Sequence, residues 1–76
     1  MPKEGALTRL RKLGLPRDDL EYLVNQWVKK EPDKTLVKYC VIDEMTIERA
    51  SELVDRTPRY SAEIIKRYCK ELLLHT

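Results

Sequence analysis

Apolar positions recur at helical spacing in five runs along the chain, and short breaks rich in Gly, Pro or Thr separate the runs. In the first, Leu7, Leu10 and Leu13 recur at i, i+3 and i+6, which predicts a short helix over 4–13 with Arg9, Arg11 and Lys12 facing away. Gly14 followed by Leu15-Pro16 predicts its stop, because Gly takes the left-handed position after a helix and Pro cannot continue one. In the second run, Leu20, Leu23, Val24, Trp27 and Val28 form one continuous stripe. Asp18 and Asp19 stand at its start, where carboxylates accept free backbone N–H groups and oppose the helix dipole. Lys29 and Lys30 are expected to close it, and Glu31-Pro32-Asp33 to break it.

The third run, 35–45, supports two periods. Thr35, Val37, Val41 and Ile42 favour a strand by β-branching, whereas Leu36, Val37, Cys40, Val41 and Met45 fit one face of a helix. No turn residue interrupts the segment, so helix is preferred, with a strand over 35–42 as the alternative. Thr46 then predicts a cap for a helix running to about Asp55, with Ile47, Ala50, Leu53 and Val54 inward. Thr57-Pro58 opens the last helix: Thr is a good N-cap, and Pro suits the first helical position. Ile64, Ile65, Tyr68, Cys69, Leu72 and Leu73 give that helix a wide apolar face. The expected fold is all-α, with about five short helices in one small domain: an N-terminal helical pair over 1–34 and a three-helix region over 35–76.

The charge pattern sharpens this picture. The whole chain of 76 residues carries only +2. Asp43–Asp55 holds five acids (Asp43, Glu44, Glu48, Glu52, Asp55) against one base, Arg49, for a balance of −4. Arg56–Thr76 holds five bases (Arg56, Arg59, Lys66, Arg67, Lys70) against two acids, Glu63 and Glu71, for a balance of +3. A basic helix behind a short turn is suited to a groove of double-stranded DNA.

With that charge, residues 35–74 resemble the helix-turn-helix of small transcription regulators, including the three-helix core of winged-helix proteins. Ala50 and Ser51 match the small residues that let the second motif helix cross closely, Val54, Ile64 and Ile65 match apolar positions, and Thr57 stands where Ser or Thr caps the recognition helix. Asp55 replaces the glycine common at the turn, Arg56 replaces an apolar residue, and Ser61 replaces a branched apolar one. The resemblance implies that the basic helix 57–74 meets duplex DNA. Arg59, Tyr60 and Ser61 would be best placed for bases, and Glu63 could accept from a cytosine amine. Arg56, Lys66, Arg67 and Lys70 would meet phosphates. The acids of Glu44–Asp55 should then face away from the DNA. A second segment, Ser61-Ala-Glu-Ile-Ile-Lys-Arg-Tyr, looks like the second helix of ribbon-helix-helix repressors. That resemblance implies a dimer with Thr35–Ile42 as its DNA-reading strand.

Other classes find less support. There is no phosphate-cradling Gly-rich loop, no paired metal ligands and no nucleophile–base pair beyond a Cys with His75, so no enzymatic activity and no cofactor are expected. Cys40 and Cys69 lie on apolar stretches and read as buried free thiols, with a disulfide as the alternative in a hyperthermophile. Asn25 and Gln26 are the only side-chain amides, a composition of the kind seen in thermophile proteins. The start, MPKEGALTRLRK, has no long apolar run, so a soluble cytoplasmic protein with no membrane partner is expected. Trp27 reads as core, and otherwise as the anchor of a protein interface. A homodimer, or docking of this helical module as an accessory subunit of a larger complex, would use the Trp27 helix.

Overall fold

The computed structural model describes residues 5–76. It is all-α: α1 (Ala6–Lys12), α2 (Arg17–Trp27), α3 (Glu31–Val41), α4 (Ile47–Leu53) and α5 (Pro58–Leu74), with no strand among the described residues. The expected start of the first helix at position 4 lies outside the described residues. The helices pack into a slab of 33 × 29 × 18 Å. The long helix α5 is its axle and touches each of the other four. Its inner face contributes Ile64, Ile65, Cys69 and Leu72 to the core. These meet Leu36, Val37, Cys40 and Val41 of α3, with Leu10, Val24, Val28 and Ala50 completing the cluster. Full burial of each large aliphatic side chain contributes about 1.5–3 kcal/mol relative to leaving it in water.

Helix boundaries follow local chemistry. Gly14 has φ 65° and donates its N–H to the Arg11 carbonyl at 3.2 Å, which closes α1. Thr46 Oγ1 accepts the Arg49 N–H, and Thr57 Oγ1 accepts the Tyr60 N–H, both at 3.2 Å. Each hydroxyl thus satisfies one of the free donors at a helix start. At the end of α4, Asp55 adopts φ 57°. The Arg56 N–H reaches back to the Ser51 carbonyl at 3.0 Å, and the Asp55 N–H to Glu52 at 3.3 Å. This is a Schellman closure, which needs one left-handed residue, and Asp supplies it in place of Gly.

Several sequence expectations are corrected. Residues 31–41 form a helix, which removes the strand over 35–42 and with it the ribbon-helix-helix arrangement. Glu31-Pro32-Asp33 does not terminate α2. It is the first turn of α3, where a proline loses no hydrogen bond and acids complement the dipole. The second helix therefore ends at Trp27, before Lys29 and Lys30, and α3 begins ahead of the expected division at 34/35. The N-cap of α2 is Pro16, with Asp18 and Asp19 inside the first turn. Arg11 does not simply face solvent. Its Nη2 donates to the Cys40 carbonyl at 2.9 Å and the Met45 carbonyl at 3.4 Å, placing a cation at the negative end of α3. Leu53, expected inward, is 48% exposed.

Candidate nucleic-acid interface

Of the residues expected to meet DNA, the outer half of α5 carries Arg59, Glu63, Lys66, Arg67 and Lys70. At about 100° and 1.5 Å per residue, Arg59, Lys66 and Lys70 fall within roughly 40° of one another around the axis, over roughly 16 Å of its length. All three are exposed, and none has an ion-pair partner among the described residues. Glu63 shares this exposed face but bridges neither Arg59 nor Arg67, although each is one turn away. Arg67 lies to one side of the row, exposed, and Arg56 precedes the helix in the turn. Two acids of the 43–55 segment are engaged elsewhere: Asp43 with Arg17 at 3.5 Å and Glu52 with Arg49 at 3.6 Å.

Tyr60 and Ser61 are placed differently from each other. Ser61 is fully buried and its hydroxyl donates to the Thr57 carbonyl at 3.0 Å. It therefore faces the core and offers no hydroxyl to a base. A small polar residue is accepted there because the preceding turn supplies its acceptor. Ser51 repeats the device on α4, donating to the Ile47 carbonyl at 2.6 Å. Tyr60 is 39% exposed. Its hydroxyl donates to Asp33 Oδ1 at 3.1 Å, so its ring, rather than its O–H, faces outward. The Arg56 guanidinium carbon sits 5.9 Å from the centre of that ring, at the range of a cation–π contact.

Asp33, which the sequence pattern did not single out, is the carboxylate beneath this candidate surface. It is 3% exposed, and its second oxygen accepts the Tyr68 hydroxyl at 3.4 Å. Desolvation, followed by the Asp33 charge and hydrogen bond, raises the Tyr68 pKa. The carboxylate sits in the first turn of α3, where the helix dipole and two phenol donors offset its loss of water.

Elsewhere the chemistry is quieter. A groove of about 310 Å³ runs between the α1–α2 turn and the end of α3, lined by Leu10, Leu20, Val41 and Ile42 with Arg11, Arg17 and Glu44 at its edge. Arg11 already serves carbonyls and Arg17 serves Asp43, so neither guanidinium is held free for a ligand. Cys40 and Cys69 are buried free thiols. Burial pushes Cys69 up to about 12 and also raises Cys40, which suits inert core thiols. No group of three or more metal-binding side chains occurs among the described residues. No helix among them is long and apolar enough to cross a membrane.

Trp27 is 38% exposed rather than sealed in the core. His75 stacks on its face, with ring centres 3.6 Å apart and planes 5° apart, and Nε2 of His75 lies 3.5 Å from Glu71. Compared with protein-family models, with curated proteins and with solved structures, the chain matches none.

Proposed function

We propose that the protein binds double-stranded DNA through the outer face of α5, as a small transcription regulator or DNA-associated accessory factor. The observation that carries the reading is the row Arg59, Lys66 and Lys70, exposed, collinear and without an ion-pair partner among the described residues, with Arg56 and Arg67 beside it. Unpaired cations held on a rigid helix release phosphate counterions on binding without first giving up an intramolecular partner. A helix about 10–12 Å across also fits the major groove, which is about 12 Å wide.

The helix-turn-helix reading of 35–74 draws support from three features. Ala50 and Ser51 are buried where α4 meets its neighbours, the α4–α5 turn is short with Asp55 left-handed, and Thr57 caps α5. On this reading Arg59 and Glu63 address base edges, while Arg56, Lys66, Arg67 and Lys70 hold phosphates. Tyr60 contributes its ring. The test is the double variant Arg59→Ala/Arg67→Ala, which should bind any duplex more weakly than the parent. Equal binding at moderate salt would remove α5 as the DNA surface.

The exposed Trp27, with Tyr22 on the same helix, favours a second reading: a homodimer or a larger protein partner docking on α2. Salt separates the two, because an apolar interface does not weaken as salt rises.

A further inference from the structure

Asp33 reaches α5 from the start of α3 and holds it at two points. Its oxygens take one hydroxyl each from Tyr60 and Tyr68, residues about 12 Å apart along the helix axis at 1.5 Å per residue. The two tyrosines are not equivalent. Tyr68 is half-buried, while Tyr60 stands at the exposed N-terminal end of α5 with the Arg56 guanidinium over its ring. Arg56 has little else to fix it: its Nη1 donates to the Asp55 carbonyl at 3.4 Å. A long side chain in a turn loses considerable rotamer freedom when it engages a phosphate, and a preformed platform reduces that loss.

We infer that Asp33 is a positioning residue for the DNA interface: through the Tyr60 hydroxyl it sets the ring on which Arg56 is held toward a phosphate. The inference rests on the DNA-binding reading and adds a role for a buried residue that touches no nucleic acid. Phosphate contacts fix the register of a protein on a duplex, so Asp33 governs how the N-terminal end of α5 is seated. Tyr68 shares the carboxylate but does not touch Arg56, and it serves as the internal control.

The experiment is fluorescence anisotropy of a labelled random-sequence duplex at several salt concentrations, with folding of each variant checked by its melting curve. The proteins are the parent, Arg56→Ala, Tyr60→Phe, the Arg56→Ala/Tyr60→Phe double variant and Tyr68→Phe. Loss of one phosphate contact lowers the log–log salt slope by about 0.9 and affinity at 0.1 M salt by roughly five- to tenfold. Arg56→Ala and Tyr60→Phe should each show this loss, the double variant should show it only once, and Tyr68→Phe should keep the parent slope. If Tyr60→Phe melts below the assay temperature, Asp33→Asn, which keeps the side-chain size, is read for the same slope change.

The inference is overturned if Tyr60→Phe keeps the parent slope, if the two losses multiply independently, or if Tyr68→Phe loses as much as Tyr60→Phe. A parent that binds no duplex at low salt overturns the DNA reading itself, and this inference with it. A parent that binds while the Tyr60 variant behaves normally sinks the inference alone.

Discussion

Ala50→Leu tests the packing that brings α4 against α5. Ala50 is fully buried on the inner side of α4, which packs on both α3 and α5. Leu adds three carbon atoms to a site with no solvent-facing escape. Overpacking of this kind costs about 1–3 kcal/mol, as neighbours are driven off their rotamers or the helices part. The size of the chain makes this a large signal. For 76 residues, about 2.1 cal/mol/K each gives an unfolding entropy of about 160 cal/mol/K, so the melting temperature should fall by roughly 6–19 °C. The assay is thermal unfolding followed by far-UV circular dichroism, with Leu53→Ala as the comparison on the same helix. Leu53 is 48% exposed, so its truncation removes less buried surface and should cost under about 1.5 kcal/mol. An Ala50→Leu melting temperature within about 2 °C of the parent would show that α4 does not sit closely on its neighbours. The close-crossing argument for the motif would then fail.

Other expected outcomes follow from single observations. Asp55→Gly should raise stability slightly and Asp55→Val should lower it by about 1–3 kcal/mol, because φ is 57° there; equal melting of the two would deny the left-handed turn. Thr57→Ala should cost about 0.5–2 kcal/mol through the lost cap, measured by urea unfolding, and no change in midpoint would mean the hydroxyl does not cap α5. His75→Ala should red-shift Trp27 fluorescence and cost about 0.5–1.5 kcal/mol; an unshifted spectrum would contradict the stack. Cys69 is raised from 9.0 to about 12, so its contribution to stability is complete below the unfolded value and is lost as pH rises across that window. Cys40 and Tyr68 are raised too and act in the same direction, so unfolding midpoints should fall above about pH 9, and a flat alkaline profile would contradict the burial of these groups.

The parts of the fold that were legible in the sequence are those specified by neighbouring residues. Thr46 and Thr57 announce caps because a hydroxyl bonds an N–H three residues on, and both do so. Gly14 and Asp55 announce left-handed positions, and both adopt them. The buried stripe of α3 outweighed its β-branched residues because Leu36, Val37, Cys40 and Val41 meet α5 as a helical face. The misreading of Glu31-Pro32-Asp33 has a plain cause: the same three residues fit the end of one helix or the beginning of the next. Only the packing of α3 on α5 distinguishes them. The Asp33 clamp and the His75 stack were hidden for a different reason. Their partners lie 27, 35 and 48 residues away, and no periodicity connects them. Ser61 illustrates the limit of position within a motif. Its place near the start of α5 suggested a base contact, but its angle around the helix turns it into the core, where the Thr57 carbonyl satisfies it. Arg59, Lys66 and Lys70 were legible as a charge excess, while their alignment follows from the helix itself.

We propose the outer face of α5 as an electrostatic contact surface for duplex DNA. Its most direct test is the salt dependence of binding to a labelled random-sequence duplex, followed by fluorescence anisotropy. With the four phosphate contacts of Arg56, Lys66, Arg67 and Lys70, affinity should fall with a log–log slope of about −3.6. Replacing Arg59, Lys66 and Lys70 together with Gln should flatten that slope by about 1.8, because Lys66 and Lys70 hold phosphates and Arg59 addresses a base edge. No binding at low salt, or a slope that the triple replacement leaves unchanged, would contradict the account and turn attention to a protein partner on the Trp27 helix.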